Sequence, residues 1–455
     1  NENMILYEAV IFDLDGTLLD TLGHLEPSTN RALAHFGLPQ RSLEEVRQFV
    51  GNGVEKLIRR AVPTGTSETR ILDCLDWFKK DYMLHMRDQT APYVGILSLL
   101  RALRDNGCKV AVVSNKFDGA VKELCREHFG DLLPVAIGER PGAQKKPARD
   151  LVDLCIAELD VSPDQCVYVG DSDVDIQTAA NAGLPCLSVS WGFRSRDFLL
   201  ENGATVIVDT PEALFDQLHT SPTRKSEESL ACLFSVPMSF STHLTKWEDS
   251  QLPDKYDHNA FKYLGQPSVE EFQKAMTYQR EKGANFVKLE GRLPLENPFG
   301  MEEDISLTMV LSAETDHHAW KTAPDVVLRA PDTPQLESLE RKHYGALYGE
   351  SFTVRNVRRL HEQVCYHGAY LEGALVGVCF TYSTDGYTCI DGLLVDREHR
   401  HRSIATTLLQ DVVESARKRG DQVFLHADAH DTPKDMYAAM GFEVEDRLYE
   451  YLYHF

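Results

Sequence analysis

The chain is expected to fold as an α/β protein: an open parallel sheet with a helical cap, followed by a mixed α+β half of different character. Three observations lead there. The run Ala9-Val10-Ile11-Phe12-Asp13-Leu14-Asp15-Gly16-Thr17 is a short apolar strand that delivers two carboxylates one residue apart. Cys166 to Asp175 repeats the theme, with an apolar strand ending in Asp171, Asp173 and Asp175. Between and after these stretches, helix-period and strand-like runs alternate to about residue 217, the pattern of a parallel sheet covered by helices.

With 455 residues the chain exceeds one ordinary core, so two to four domains are expected. A formal net charge of -23 speaks against nucleic acid or an anionic membrane as partner, since both select a basic footprint. The ten cysteines are scattered with no Cys-x-x-Cys pair, as in buried free thiols of a reducing compartment. Asn1 to Met4 lacks a charged start followed by an apolar run, and no run reaches membrane-spanning length. No secretory signal is therefore expected, and the expected compartment is the cytoplasm.

After the first strand the chain turns helical to about Arg87, with breaks at Gly37, Gly51 to Gly53 and Pro63 to Gly65. An insertion directly behind two carboxylates reads as a cap able to close over a site and exclude water. Alternation resumes with a helix from Leu97 to Asp105 and a strand from Lys109 that ends in Ser114-Asn115-Lys116. Gln144-Lys145-Lys146-Pro147 follows, then the helix Leu151 to Leu159, the second carboxylate strand, a helix from Ile176 and a strand from Pro185 to Ser190.

Strand ends in an open α/β sheet are where ligands bind, and these ends carry the parts of a phosphoryl-transfer site. Asp13 is placed to attack phosphorus, giving an aspartyl-phosphate. Asp15 can protonate the leaving oxygen and later deprotonate water. Ser114 can bond a phosphoryl oxygen beside the charge of Lys146. Crowding Asp13, Asp171 and Asp175 calls for a cation, and Mg²⁺ suits an all-oxygen shell. Thr17, Asn52 and Asn115 are candidate substrate contacts, Asn52 sharing that role with a turn between two glycines.

These motifs, in this order, resemble the haloacid dehalogenase superfamily in its phosphoglycolate phosphatase-like branch, a Rossmann-like sheet with a helical cap; Phe49 to Val54 and Val189-Ser190-Trp191-Gly192-Phe193-Arg194 are similar as well. The resemblance implies Asp13 as nucleophile, Asp15 as acid/base, and metal held by Asp13, the Asp15 carbonyl and Asp171, with Asp175 in support. It makes 2-phosphoglycolate the first substrate to try; a phosphomutase using the same aspartyl-phosphate is the alternative.

His219 to Ser229 is polar and aperiodic and reads as a linker. From Cys232 to Leu311 no catalytic cluster stands out; Asp257 and His258 are adjacent, and adjacent residues on a strand point apart. Beyond residue 325 the pattern is more informative. A strand from Tyr387 to Val395 leads into Arg397-Glu398-His399-Arg400-His401-Arg402-Ser403-Ile404-Ala405, which opens a helix to Arg419. Strand, basic loop and helix amino terminus together make an anion cradle. Downstream, Tyr437 lies in Met436-Tyr437-Ala438-Ala439-Met440-Gly441-Phe442.

This arrangement resembles the GNAT acetyltransferase family, with Ser403 and His401 where its cradle carries glycine. The resemblance implies acetyl-CoA as cofactor, its pyrophosphate at Val395 and Arg400 to Ala405, and Tyr437 as the acid that protonates departing CoA. Asp391, His426 and Asp428 are the candidate general bases. The expected organisation is a phosphatase over residues 1–217 (core 1–20 and 90–217, cap 21–89), a linker over 218–230, a degenerate GNAT-like partner lobe over 231–320 and a GNAT-like domain over 321–455. The expected function is a bifunctional enzyme, acting on a small phosphorylated metabolite and on an unidentified small amine; the alternative is a phosphatase with a non-catalytic CoA-binding or regulatory module.

Overall fold

The computed structural model describes residues 5–455; Asn1 to Met4, on which the signal-peptide expectation falls, lie outside them. The chain forms two compact units that divide at Thr220/Ser221.

In the first unit six strands form a wholly parallel sheet in the order Val135–Glu139, Lys109–Phe117, Ala9–Phe12, Cys166–Gly170, Cys186–Val189 and Ile207–Val208. The central strand Ala9–Phe12 is buried throughout, as expected where helices cover both faces. Ile11, Val113, Ile137 and Tyr168 pack with Leu151, Cys155 and Leu159 of the helix Asp150–Leu159. Because the two carboxylate strands are hydrogen-bonded neighbours, their ends open onto one place.

The helical insertion forms Leu22–His35, Leu43–Phe49, Val54–Ala61 and Glu68–His85. Its breaks fall where the sequence places glycine: Gly37, Gly51 and Gly53 all have positive φ. Ser42 and Glu45 make a reciprocal capping box, and the Ser67 hydroxyl accepts the Arg70 N–H. Thr21 stands at the head of the first cap helix.

The second unit is organised around one sheet of eleven strands, in the order Val327–Arg329, Cys365–Leu371, Ala374–Thr384, Tyr387–Val395, Gln422–Asp428, Glu303–Leu311, Phe442–His454, Phe286–Gly291, Phe261–Tyr263, Leu244–Glu248 and Val236–Ser239. Two boundaries from the sequence are revised by it. Residues 224–234 form a helix instead of the tail of a linker; its Leu230 and Phe234 enter the core beside Leu336, Leu360 and Phe380. The division at residue 320 cuts through the sheet, because Glu303–Leu311 lies between Gln422–Asp428 and Phe442–His454 and pairs with both. The last strand in turn pairs through its far end with Phe286–Gly291. Leu307 and Met309 of the inserted strand belong to the same core as Leu408, Val412 and Phe442. A turn signal and a polar run marked the boundaries, but a strand's partner so distant in sequence leaves no local trace.

A fragment of residues 321–455 lacks that inner strand and exposes the backbone edges of its neighbours. It is expected to aggregate or stay unfolded by circular dichroism and size-exclusion chromatography, whereas residues 221–455 are expected to fold.

Candidate functional sites

In the first unit a solvent-open cleft of about 550 Å³ between sheet and cap is lined by Asp13, Asp15, Ser114, Asn115, Lys116, Lys146, Asp171, Phe193 and Arg194, among others. Lys146 is its hub. The buried ammonium lies 2.9 Å from Asp13 Oδ1, 3.1 Å from Asp175 Oδ1, 2.8 Å from the Tyr168 hydroxyl and 3.1 Å from the Val113 carbonyl. Burial opposes its charge, yet Asp13 and Asp175 outweigh burial and hold its proton more tightly than in water.

The carboxylates answer in kind. Asp13, Asp171 and Asp175 bring one oxygen each within 4.8 Å of one another. Burial, then the charge of Asp175, raises Asp13 well above its ordinary range despite Lys146, and pushes Asp171 up to about 6. Three carboxylates against one ammonium leave two negative charges uncompensated, which a divalent cation fits. Asp171 is oriented by the Thr17 hydroxyl at 3.1 Å and the Phe193 N–H at 2.9 Å. Asp175 accepts from Tyr168, Lys146, the Asp171 and Ser172 N–H groups and the Ser172 hydroxyl, which fits a supporting carboxylate more than a direct ligand. Gly16, at positive φ, is required here: a Cβ would overlap Asp171 Oδ2 and the Phe193 ring.

Three candidate substrate contacts have other tasks. Thr17 is fully buried and serves Asp171. The Asn52 side chain accepts from Arg60 at 2.7 Å and is not among the cleft-lining residues. Asn115 lines the cleft but spends its amide on the backbone of Lys146, donating to its carbonyl at 2.9 Å and accepting its N–H at 2.8 Å. Lys116, to which no role was assigned, lies 3.3 Å from Asp15 Oδ2 and 2.5 Å from the hydroxyl of Tyr82 in the cap, while Asp15 Oδ1 is buried without a hydrogen bond. Its place in the Ser114-Asn115-Lys116 run at a strand end was the available signal.

In the second unit Tyr387–Val395 and Gln422–Asp428 run parallel and pair from Tyr387/Gln422 to Ile390/Leu425; beyond that the ladder ends. Asp391 and His426 stand where the strands part. The helix Ile404–Lys418 starts nearby, preceded by His401 and Ser403, both at positive φ. The backbone thus adopts at these two positions a conformation natural to glycine, although neither residue is one. First-turn N–H groups of such a helix have no intrahelical acceptor, so the donor set fits a pyrophosphate. Arg400 Nε reaches the Val395 carbonyl at 3.4 Å, and Arg400 and Arg402 are exposed. Tyr437 is buried with its ring edge-on to Phe442; burial and then Asp391 push its hydroxyl up to about 12, so it remains a proton donor at neutral pH.

The three base candidates separate. His426 Nε2 lies 2.6 Å from Glu227 Oε1, which also accepts from Thr308 at 3.0 Å. Burial works against the imidazolium, but contacts with Cys389 and Glu227 outweigh it and raise His426 well above its ordinary value; Glu227 is held at about 2, its contacts with His426 overcoming burial. His426 is thus engaged by Glu227 and docks the helix Arg224–Phe234. Asp391 and Asp428 are exposed, each accepting only a local N–H, from Gly392 and His430. Glu340 was missed: it sits one turn beyond Leu336 on the packed face of Thr333–Tyr348, and burial, only partly offset by Lys255, pushes it up to about 7. An acid inside an apolar helical stripe was the signal. Asp257 and His258 lie on a 3₁₀ turn and not a strand; they still part company, Asp257 going to Lys288 and His258 to Asp249 at 2.8 Å.

Residues 10–189 match the haloacid dehalogenase-like hydrolase family. Phosphoglycolate phosphatase of Pseudomonas putida is 32% identical over 214 residues, 46% of this chain and 76% of the relative. The chain belongs to the haloacid dehalogenase-like hydrolases. A plasmid-encoded phosphoglycolate phosphatase of Cupriavidus necator is 34% identical over 209 residues, 45% of this chain and 90% of the relative. A solved chain from Lactobacillus delbrueckii subsp. bulgaricus, provisionally described as a phosphoglycolate phosphatase, is 38% identical with a TM-score of 0.45, covering 47% of this chain and 99% of that one. Residues 330–442 match the acetyltransferase (GNAT) family. That match lies within the second unit. Among the described residues no helix is long and apolar enough to cross a membrane.

The raised Asp13 and Asp171 bind protons more tightly folded than unfolded, so without a metal they destabilise the fold as pH rises through their folded values, about 6 for Asp171. In EDTA the thermal midpoint of the first unit is expected to rise as pH falls from about 7.5 to about 5.5. Mg²⁺ is expected to raise the midpoint more at the higher pH; scanning calorimetry with and without the metal measures the difference.

Proposed function

We propose that this protein is a bifunctional enzyme, a Mg²⁺-dependent phosphomonoesterase acting through an aspartyl-phosphate and an acetyl-CoA-dependent N-acetyltransferase. The observation that carries the first half is Lys146 seated on Asp13 among buried carboxylates under a cap. Asp13 attacks phosphorus, with Lys146 and the Ser114 hydroxyl stabilising the phosphoryl oxygens. Asp15, held beside Lys116, gives its proton to the leaving oxygen and takes one from the hydrolytic water. Asp13, Asp171 and the Asp15 carbonyl would hold Mg²⁺, which would supply the charge neutralisation that lets two anions meet. The named relatives and the cleft beneath the cap support a small anionic ester, with 2-phosphoglycolate first.

For the second half, the cradle before Ile404 holds the pyrophosphate of acetyl-CoA and Tyr437 protonates the departing thiolate, the acceptor being a small amine. Free, scattered cysteines support a reducing, cytoplasmic setting.

Asp13→Asn is expected to lower phosphate release from 2-phosphoglycolate by about 10³-fold or more, measured on protein shown to be folded by circular dichroism. Wild-type protein without release from any ester tested would remove the phosphatase reading. In the second unit, Ser403→Gly is expected to bind acetyl-CoA at least as tightly as wild type by calorimetry. Ser403→Val, a branched side chain at positive φ, is expected to weaken binding by about tenfold or more. Equal binding by all three proteins would remove the cradle.

A further inference from the structure

Lys255 lies outside the residues that match the acetyltransferase family, on a segment clasped to the helix Glu350–His361. Two arginines make the clasp. Arg355 holds Asp254, and Arg359 lies 3.4 Å from Asp249, which also has His258 at 2.8 Å. Lys255 adds one hydrogen bond, from its Nζ to the side-chain oxygen of Asn356 at 2.8 Å. That partner is neutral, and the clasp stands without it. Burial loosens the hold of Lys255 on its proton, opposed by the charges of Asp257, Asp391, Asp249 and Glu340. Asp257 is taken by Lys288 and Asp249 by the clasp. Asp391 and Glu340 have no such claim: among the described residues no cation stands within ion-pair length of either, and no acid within that length of Lys255.

Glu340 is only 9% exposed, yet among the described residues its carboxyl has no hydrogen-bond partner. His343, on the same buried face of Thr333–Tyr348, has Asp396 at 3.2 Å. A buried polar group left alone is costly, so its retention calls for a partner from outside the chain. Burial pushes Glu340 up to about 7 against the pull of Lys255, so near neutral pH it can donate as well as accept. Asp391 reaches the same place from the sheet. Its ladder partner Phe380 packs with Leu336 and Leu339, the buried neighbours of Glu340 on the helix, and its charge acts on both Lys255 and Tyr437. An ammonium and a carboxyl that sense each other without closing to contact leave a place for a group between them. A carboxylate can accept from both; a phosphate dianion would bring a second charge beside two acids.

We infer that the acyl acceptor of the second unit is an amino acid, its carboxylate held by Lys255 and Glu340 and its ammonium by Asp391. The segment before the family match thus completes the acceptor site and sets its specificity. The inference deepens the N-acetyltransferase reading and rests on it.

The test sets each common amino acid against the amine left when its carboxyl is removed, as histidine against histamine, and follows CoA thiol release from acetyl-CoA by the full chain. Wild type is expected to favour at least one amino acid over its amine by about tenfold or more in kcat/KM. Lys255→Met is expected to bring that ratio down to about one, and Lys255→Arg to restore part of it. A wild type that prefers the amines overturns the inference. So does a ratio that Lys255→Met leaves unchanged, since a lysine that only braces Asn356 would lower both rates together. Calorimetry of the same pairs in the presence of CoA reads the preference without turnover. Amino-acid binding there that Lys255→Met weakens by about tenfold or more upholds the inference even if no acetyl group is transferred, in which case it is the transferase reading that fails; no amino acid bound and none acetylated overturns it.

Discussion

Much of the first unit depends on one buried ammonium. Lys146 touches a carboxylate at the end of Ala9–Phe12, another on the helix after Cys166–Gly170, a phenol within that strand and a carbonyl of Lys109–Phe117. Three adjacent strands are thereby fixed to one point of positive charge. Breaking such a buried arrangement by removing one partner typically costs about 3–5 kcal/mol, because the remaining charges cannot be rehydrated. Asn115 extends the constraint by gripping the backbone of Lys146, so the residue is fixed at both ends. What looks like a phosphate-binding lysine is also the brace of the sheet's carboxyl edge.

The second unit solves a related problem with a different pair. Its sheet opens between two parallel strands, and an opening sheet exposes backbone that must be braced from outside. Glu227, on a helix from the start of the unit, reaches His426 beside the opening and Thr308 on the inserted strand. Arg292 joins Glu227 to Asp446 from the other side. The ion pair thus secures three segments distant in sequence. The earlier parallel pair, Phe261–Tyr263 with Phe286–Gly291, offers no comparable opening: a Cβ on Gly291 would overlap the Tyr263 ring, and no helix follows that strand before Glu303–Leu311.

Legible in the chain are the parts that local order encodes. Asp13, Asp15, Ser114 and Asp171 each follow an apolar run, Lys146 lies in a polar loop, and alternation of strand and helix assembles such ends at one edge. The cap reads as an interruption, and residues 400–405 as a basic loop opening a helix. Roles that depend on a remote partner were not visible. Thr17, Asn52 and Asn115 are polar residues beside the right motifs, yet their bonds run to Asp171, Arg60 and Lys146. Lys116 and Arg194 draw their meaning from cap segments met only in three dimensions. Glu227 lay in a polar stretch that reads as linker until His426 is known to face it.

The strand Glu303–Leu311 has a consequence for how the protein is made. Its neighbour on one side is supplied by the last strand of the chain; Glu303 receives the Tyr451 hydroxyl from 148 residues downstream. During synthesis the strand has no complete seat until residues 442–451 have left the ribosome. Closing so long a loop is slow, and an unpaired apolar strand meanwhile is an open template for other chains. The first unit closes a loop of similar length, since Ala9–Phe12 pairs with Cys166–Gly170, but all six strands of its sheet are made before residue 210. The first unit can therefore finish folding while the second still waits, and the inserted strand stays exposed to aggregation until Phe442–His454 has been made.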